Sequence, residues 1–158
     1  MTSRSSLAAI AIAVALAGCG GGSSQLSDQD YAKQLTQILK PLQKTLQTDL
    51  APLTSATSRQ QITSALGKAD DAVQKASSQI DSLDAPDAAT DSNAALVTAL
   101  DTYEKSIADT EEAFRSGTKS QINAQAKAFK ADSQSFVNSM KQTASQLKSE
   151  GIKVGGAG

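Results

Sequence analysis

The chain contains no histidine and no tryptophan, and only one cysteine, three prolines, three phenylalanines and two tyrosines among its 158 residues. Without histidine it lacks the side chain that ordinarily titrates near neutral pH, so Ser-His and Cys-His nucleophile systems are absent. The lone thiol, Cys19, has no partner for an intramolecular disulfide. Scarce aromatics set a further limit, because a chain with few large apolar groups struggles to offset the conformational entropy lost on folding. Single-sign charge is lacking too. The formal net charge is −1, which leaves no electrostatic footprint for nucleic acid.

Carboxylates occur as Asp70-Asp71, Glu111-Glu112 and Asp84 with Asp87. Adjacent acids on a helix point about 100° apart, and the Glu-x-x-His pairing of di-iron bundles is missing. These groups read as a solvated acidic face, so no metal site, no cofactor and no catalytic residue is assigned.

What the chain does have begins at its N-terminus. Arg4 precedes an unbroken apolar run over residues 7–16, and small residues follow, which is the three-part layout of an export signal. A bilayer-spanning helix needs about 20 apolar residues, so this run is too short to remain as one. Ala17-Gly18 would also suit an ordinary signal peptidase, giving a plain secreted protein; Cys19 directly after them argues otherwise. The stretch Leu16-Ala17-Gly18-Cys19 resembles the lipobox of bacterial lipoproteins. That resemblance implies a diacylglycerol on the Cys19 sulfur, cleavage just before it, and an address on the extracytoplasmic face of the cell membrane. Two or three fatty chains hold a membrane stably where one does so only marginally. Residues 20–24, Gly-Gly-Gly-Ser-Ser, read as a flexible leash of about 12 Å root-mean-square reach. No Lys-Ser/Thr follows those glycines and no strand precedes them, which argues against a phosphate loop.

Removing residues 1–18 leaves 140 residues, enough for one domain, with 14 basic and 16 acidic side chains for a net of −2 once Arg4 is gone. Within it, apolar residues recur at alternating steps of four and three. Ser27 with Asp30 resembles a capping box and should start a first helix whose face is Tyr31, Leu35, Ile38 and Leu42, widened by Leu39, Leu46, Leu50 and Leu53. Pro41 should bend this helix, since the face resumes in register after it, while Pro52 either bends the last turn or ends the helix near Leu50. Ser58 with Gln61 opens a second helix along Ile62, Leu66, Ala69, Val73, Ala76, Ile80 and Leu83. Pro86 suits the first position of a third helix along Ala89, Asn93, Leu96, Leu100, Tyr103, Ile107, Thr110 and Phe114, ended by a left-handed Gly117. Thr118 with Gln121 caps a fourth helix along Ile122, Ala126, Phe129, Ser133, Phe136, Met140, Thr143 and Leu147. Gly151 terminates it, with Ile152 packing back.

No segment alternates as a strand would. Helices at residues 58–84, 86–116 and 118–150 are similar in length, and their short connections favour antiparallel neighbours. The expected fold is therefore all-α: an up-down-up-down four-helix bundle over residues 27–152, after a signal peptide (1–18) and a lipidated linker (19–26), with a disordered tail at 153–158. A continuous coiled-coil rod would have to keep its heptad phase through Pro86 and Gly117, where the phase slips. Charge favours pairing the third and fourth helices: residues 85–116 hold seven acids and two bases, residues 118–150 five bases and two acids. Four-residue spacing suggests the pairs Asp71 with Lys75, Asp101 with Lys105 and Glu111 with Arg115. With so much alanine in the seams, Phe114, Phe129, Phe136, Tyr103 and Tyr31 should supply a disproportionate share of the core, the tyrosines as core edges with hydroxyls reaching water.

The polar seam residues Asn93, Thr110, Ser133 and Thr143 would either line a ligand cavity or, in the favoured reading, fix register and bond back to carbonyls four residues earlier. Residues 82–115, with Leu83-Asp84-Ala85-Pro86 leading into the Ala/Leu-rich helix from Asn93, are similar to small helical lipoproteins of actinobacteria. This likeness implies a helical fold and an envelope address. Many of those proteins carry a histidine near the position held here by Asn93.

Two functions are in view. The first is a non-enzymatic, membrane-tethered bundle that meets an envelope protein partner through its surface. The second is a binding module for a small apolar or envelope-derived ligand held between helices. A closed seam favours the first, and an apolar void lined by Leu96, Leu100, Phe129 and Phe136 the second. Spacing fixes no oligomeric state.

Overall fold

Three capping sequences, at Ser27, Ser58 and Thr118, start three of the four expected helices, and all four helices form. The structure, a computed structural model, describes residues 25–54 and 58–155. Residues 1–24, which hold the expected signal peptide, Cys19 and the expected glycine-serine leash, and residues 156–158 lie outside the described residues. Among those described the fold is all-α, with four α-helices, two short 3-10 turns and no strand.

Helix α1 (Asp28–Leu50) starts where Ser27 accepts a hydrogen bond from the Asp30 N–H at 3.2 Å. It continues through Pro41 and gives way at Leu50 to a 3-10 turn, Ala51–Thr54, that contains Pro52. Of the two prolines, then, the second coincides with the end of the α-helix. Helix α2 (Arg59–Asp81) opens on a full capping box between Ser58 and Gln61, both bonds 3.2 Å.

Pro86 does not begin the third helix. Its backbone is extended (φ −62, ψ 152), and its carbonyl accepts from the Ala89 N–H at 2.7 Å, closing a 3-10 turn, Asp87–Ala89, before α3 (Thr90–Ser116) begins. Gly117 is likewise extended (φ −74, ψ 155) where a left-handed residue was expected. Two extended residues in succession, Gly117 and Thr118, swing the chain from α3 into α4 (Lys119–Ser149). Glycine is needed there for close approach, since a Cβ would stand 2.4 Å from the Ala113 carbonyl oxygen. Left-handed backbone occurs at Gly151 (φ 88). There the Ile152 N–H bonds to the Leu147 carbonyl at 2.8 Å and the Gly151 N–H to that of Lys148 at 3.2 Å, the paired bonds of a Schellman ending with Ile152 buried over the last turn.

Packing joins α1 to α2, α2 to α3 and α3 to α4. Asn93 bonds to the Ile80 carbonyl, Ser77 to Asp101, and Arg59 to the Gly117 carbonyl, linking α2 and α3 along their length. Ser92 bonds to Glu150, Ser106 to Asp132, and Gln125 to Thr110, linking α3 and α4. The start of α1 joins them through Tyr31 to Asn93 and through the Leu26 N–H to the Asp84 carbonyl.

The core lies among α1, α2 and α3, where Tyr31, Leu35, Leu66, Val73, Ile80, Leu96, Leu100 and Ile107 are buried. Both tyrosines belong to it, contrary to the expectation that their hydroxyls reach water. The phenylalanines do not: Phe114, Phe129 and Phe136 are only half-buried, and Ala126 is exposed. The reason is that α4 rests on α3, so its seam is covered on one flank only. Of the three charge pairs expected from four-residue spacing, Glu111 with Arg115 forms, whereas Asp71 with Lys75 and Asp101 with Lys105 do not appear among the ion pairs of the described residues. Among the described residues the ion pairs are Lys105 with Asp109 and Arg115 with Glu111 and Glu112, all within α3. Asp101 instead accepts from Ser77 on α2, which leaves Lys105 to pair forward along its own helix.

Candidate functional site

Because α1 and α4 are not packed on one another, the edge between them is open. The α1 stripe of Leu39, Leu42, Leu46 and Leu50 forms one wall of a groove of about 610 Å³, and Phe136, Val137 and Met140 of α4 form the other. The steps of three and four that put those leucines on one side of the helix give a face wider than α2 alone can cover. Leu42 is buried, whereas Leu39, Leu46 and Leu50 are half-buried. Val137 is 48% exposed, the large apolar side chain left open to solvent among the described residues.

The floor is aromatic. Tyr103 of α3 stacks on Phe136 with ring centroids 4.4 Å apart and on Phe129 at 5.9 Å. Its hydroxyl lies 3.4 Å from the Ser133 Oγ, whose own proton goes to the Phe129 carbonyl. Burial pushes the Tyr103 pKa up, only partly opposed by the bond with Ser133, so the floor presents a neutral phenol at physiological pH.

One end of the groove is closed by the chain after α4. Val154 is half-buried there, and the Gly155 N–H donates to the Thr36 Oγ1 of α1 at 3.0 Å. Residues 153–155, expected to belong to the tail, are thus held against α1. The charged groups in the lining are Lys40 and Lys141, both exposed, and no acid lines the groove. A concave, mainly apolar cleft of this volume with a few polar groups at its margin has the dimensions of a small-ligand site.

The cavity lies elsewhere than the sequence suggested. Leu96 and Leu100 are sealed in the core, Phe129 is stacked beside the floor, and Phe136 alone is shared with the observed groove. In the sequence Leu39, Leu46 and Leu50 only widen the first helix's face, and Val137 sits off the four-three seam of the fourth. Its position beside Phe136 was the available signal. The hydroxyl seam residues bond back along their own helices, as the favoured reading expects, and Ser133 also lines the groove. Thr110, Ser133 and Thr143 bond to the carbonyls of Ser106, Phe129 and Ser139, and Asn93 joins α1 to α2.

Acidic residues collect on the other side, along α2 and α3. Asp70 has one buried carboxylate oxygen without a hydrogen-bond partner, and its pKa is raised by burial and by the nearby charges of Glu111 and Asp71. Glu104 is raised by burial, then by Asp70 and Asp101. Among the described residues no group of three or more such side chains is placed to hold a metal ion, and no helix is long and apolar enough to cross a membrane. No protein-family model, curated protein or solved structure matches the chain.

Proposed function

We propose that this protein is a lipid-anchored, non-enzymatic component of the extracytoplasmic membrane face whose helical domain binds a small apolar ligand in the groove between α1 and α4. In this reading the four helices run up-down-up-down with the α1–α4 edge left open. The observation that carries it is the groove itself: an apolar floor and walls, with Val137 held in solvent where a closed bundle would bury it. The address is supported by the lipobox-like Leu16-Ala17-Gly18-Cys19, and the non-enzymatic reading by the lack of any Ser-His or Cys-His nucleophile pair.

The test is titration of the Cys19→Ser chain with the neutral apolar dye Nile red. Fluorescence enhancement that saturates, and that Val137→Asp abolishes without changing the helical circular dichroism, is the expected result. Dye binding that ignores Val137→Asp would refute the groove. The anchor is tested separately, by mass spectrometry of Cys19 in the membrane fraction; a bare thiol there removes the address and leaves the groove untouched.

A further inference from the structure

We propose that the occupant of the groove is a single-chain anionic lipid of the membrane, with its acyl chain along Leu46 and Leu50 and its acidic head between Lys40 and Lys141. This rests on the ligand-binding reading above and adds the chemical class and orientation of the ligand.

The first argument is charge. Lys40 and Lys141 are cations in a lining that holds no acid, so nothing in the groove neutralises them. An anionic head group there makes charge-assisted hydrogen bonds to one or both ammonium groups, which a neutral ligand cannot do. The second argument is polarity along the groove. Tyr31 reaches Asn93, and Ser92 reaches Glu150, so the start of α1, the start of α3 and the end of α4 share one end of the molecule. Within the groove Lys40 precedes Leu42, Leu46 and Leu50 along α1, whereas Lys141 follows Ser133, Phe136 and Val137 along α4. With the helices oppositely directed, both lysines stand at the same end, beside Val154 and Gly155, and the leucine-lined end carries no charge. The groove therefore has a head and a tail, which suits an amphiphile better than a uniformly apolar molecule.

The third argument is place. The groove's basic end, the one closed by Val154 and Gly155, faces the side of the molecule at which Leu26 is fastened to the Asp84 carbonyl, and from which the chain leads back towards Cys19. A domain tethered on that side holds its two lysines nearer the bilayer than its leucine-lined end, and anionic headgroups there attract juxtamembrane lysines.

The experiment uses the mature chain, residues 19–158, with Cys19→Ser so that it brings no lipid of its own. Equilibrium dialysis with radiolabelled dodecanoate and dodecanol compares one acyl chain with and without a charged head. The expected result is a preference for dodecanoate of about tenfold, the size that two solvent-exposed ion contacts supply. The double variant K40Q/K141Q loses that preference while still taking dodecanol; both lysines are exposed, so its thermal melt matches the parent. Equal affinity for the two probes, or a preference that survives the double substitution, overturns the head-group assignment and leaves the groove reading intact. If neither probe binds, both fall. A dimer seen by sedimentation and dissolved by Val137→Asp would assign the groove to a second copy of the chain, and would overturn the lipid as its occupant.

Discussion

Tyr103 and Phe136 lie face to face, centroids 4.4 Å apart and planes within 5°, and both line the open groove although one ring is buried and the other half-exposed. The pair fastens α4 to the rest of the molecule at its midpoint. Elsewhere along α4, burial is complete only at Thr143 and Leu147, near its end.

Phe136→Ala removes that stack and a half-buried ring without opening a closed void. The expected loss is about 1–2 kcal/mol, from area and aromatic contact together. Leu100→Ala, which empties space in a sealed core, should lose about 2–5 kcal/mol. Lys130→Ala, fully on the surface, should stay within about 0.5 kcal/mol. Urea unfolding of the three variants gives the order; a Phe136→Ala loss as large as that of Leu100→Ala would mean that α4 is packed far more tightly than its exposure indicates.

Tyr31 predicts an alkaline effect. Its hydroxyl donates to the Asn93 Oδ1 at 3.0 Å, and its pKa is pushed up to about 12 by burial and, secondarily, by the charge of Glu150. At neutral pH, Tyr31→Phe strands the Asn93 oxygen and should cost about 1 kcal/mol. A pKa raised on folding stabilises fully below the unfolded value of 10.0 and is lost as pH rises through about 12. The difference in Tm between parent and variant should therefore shrink steadily over that window. A constant difference would show that Tyr31 ionises as freely in the folded protein as in the unfolded one.

Local chemistry accounts for what was legible in advance. Ser27, Ser58 and Thr118 accept from backbone N–H groups three residues on, so the starts of α1, α2 and α4 depend on a handful of adjacent atoms. The Gly151-Ile152 ending is similarly self-contained. Pro86 and Gly117 misled because the conformation of a connection is set by the two packed helices it must join, and a short turn satisfies that constraint in several ways. The phenylalanines misled for a different reason. A repeat of four and three identifies the face of α4 that turns inward, but says nothing of whether a neighbour covers both of its flanks. The groove was hidden by the same ambiguity, since it is the place where the second neighbour is missing.

The acidic face predicts a stabilising substitution. Asp70 keeps a buried oxygen unpartnered, and its pKa is raised by burial, then by Glu111 and Asp71. A group whose pKa is raised on folding favours the folded state at acid pH, and that benefit disappears as pH climbs through its folded-state pKa. Asp70→Ala should thus raise the Tm at neutral pH, where it also removes the charge of Asp70, which after burial does most to raise the Glu104 pKa. The gain should narrow as pH falls through the raised folded-state pKa and vanish below the ordinary value of 3.8, where the carboxyl is neutral in either state. Thermal melts of both proteins from acid to neutral pH test this, and a gain that does not vary with pH would assign it to helix propensity alone.

Gly117 and Gly151 end their helices by different means, and the same pair of substitutions at each tells them apart. Gly151 holds φ 88, a conformation that alanine adopts at a cost of about 1–2 kcal/mol and that asparagine tolerates better. Gly117 holds an ordinary extended φ of −74, and its demand is for space, since any Cβ meets the Ala113 carbonyl oxygen at 2.4 Å. Asparagine should therefore be milder than alanine at 151 but no milder at 117, where both bring the same offending carbon. Chemical denaturation of the four variants makes the comparison. Equal losses for Ala and Asn at 151, or a clear advantage for Asn at 117, would contradict this division between a backbone requirement and a steric one.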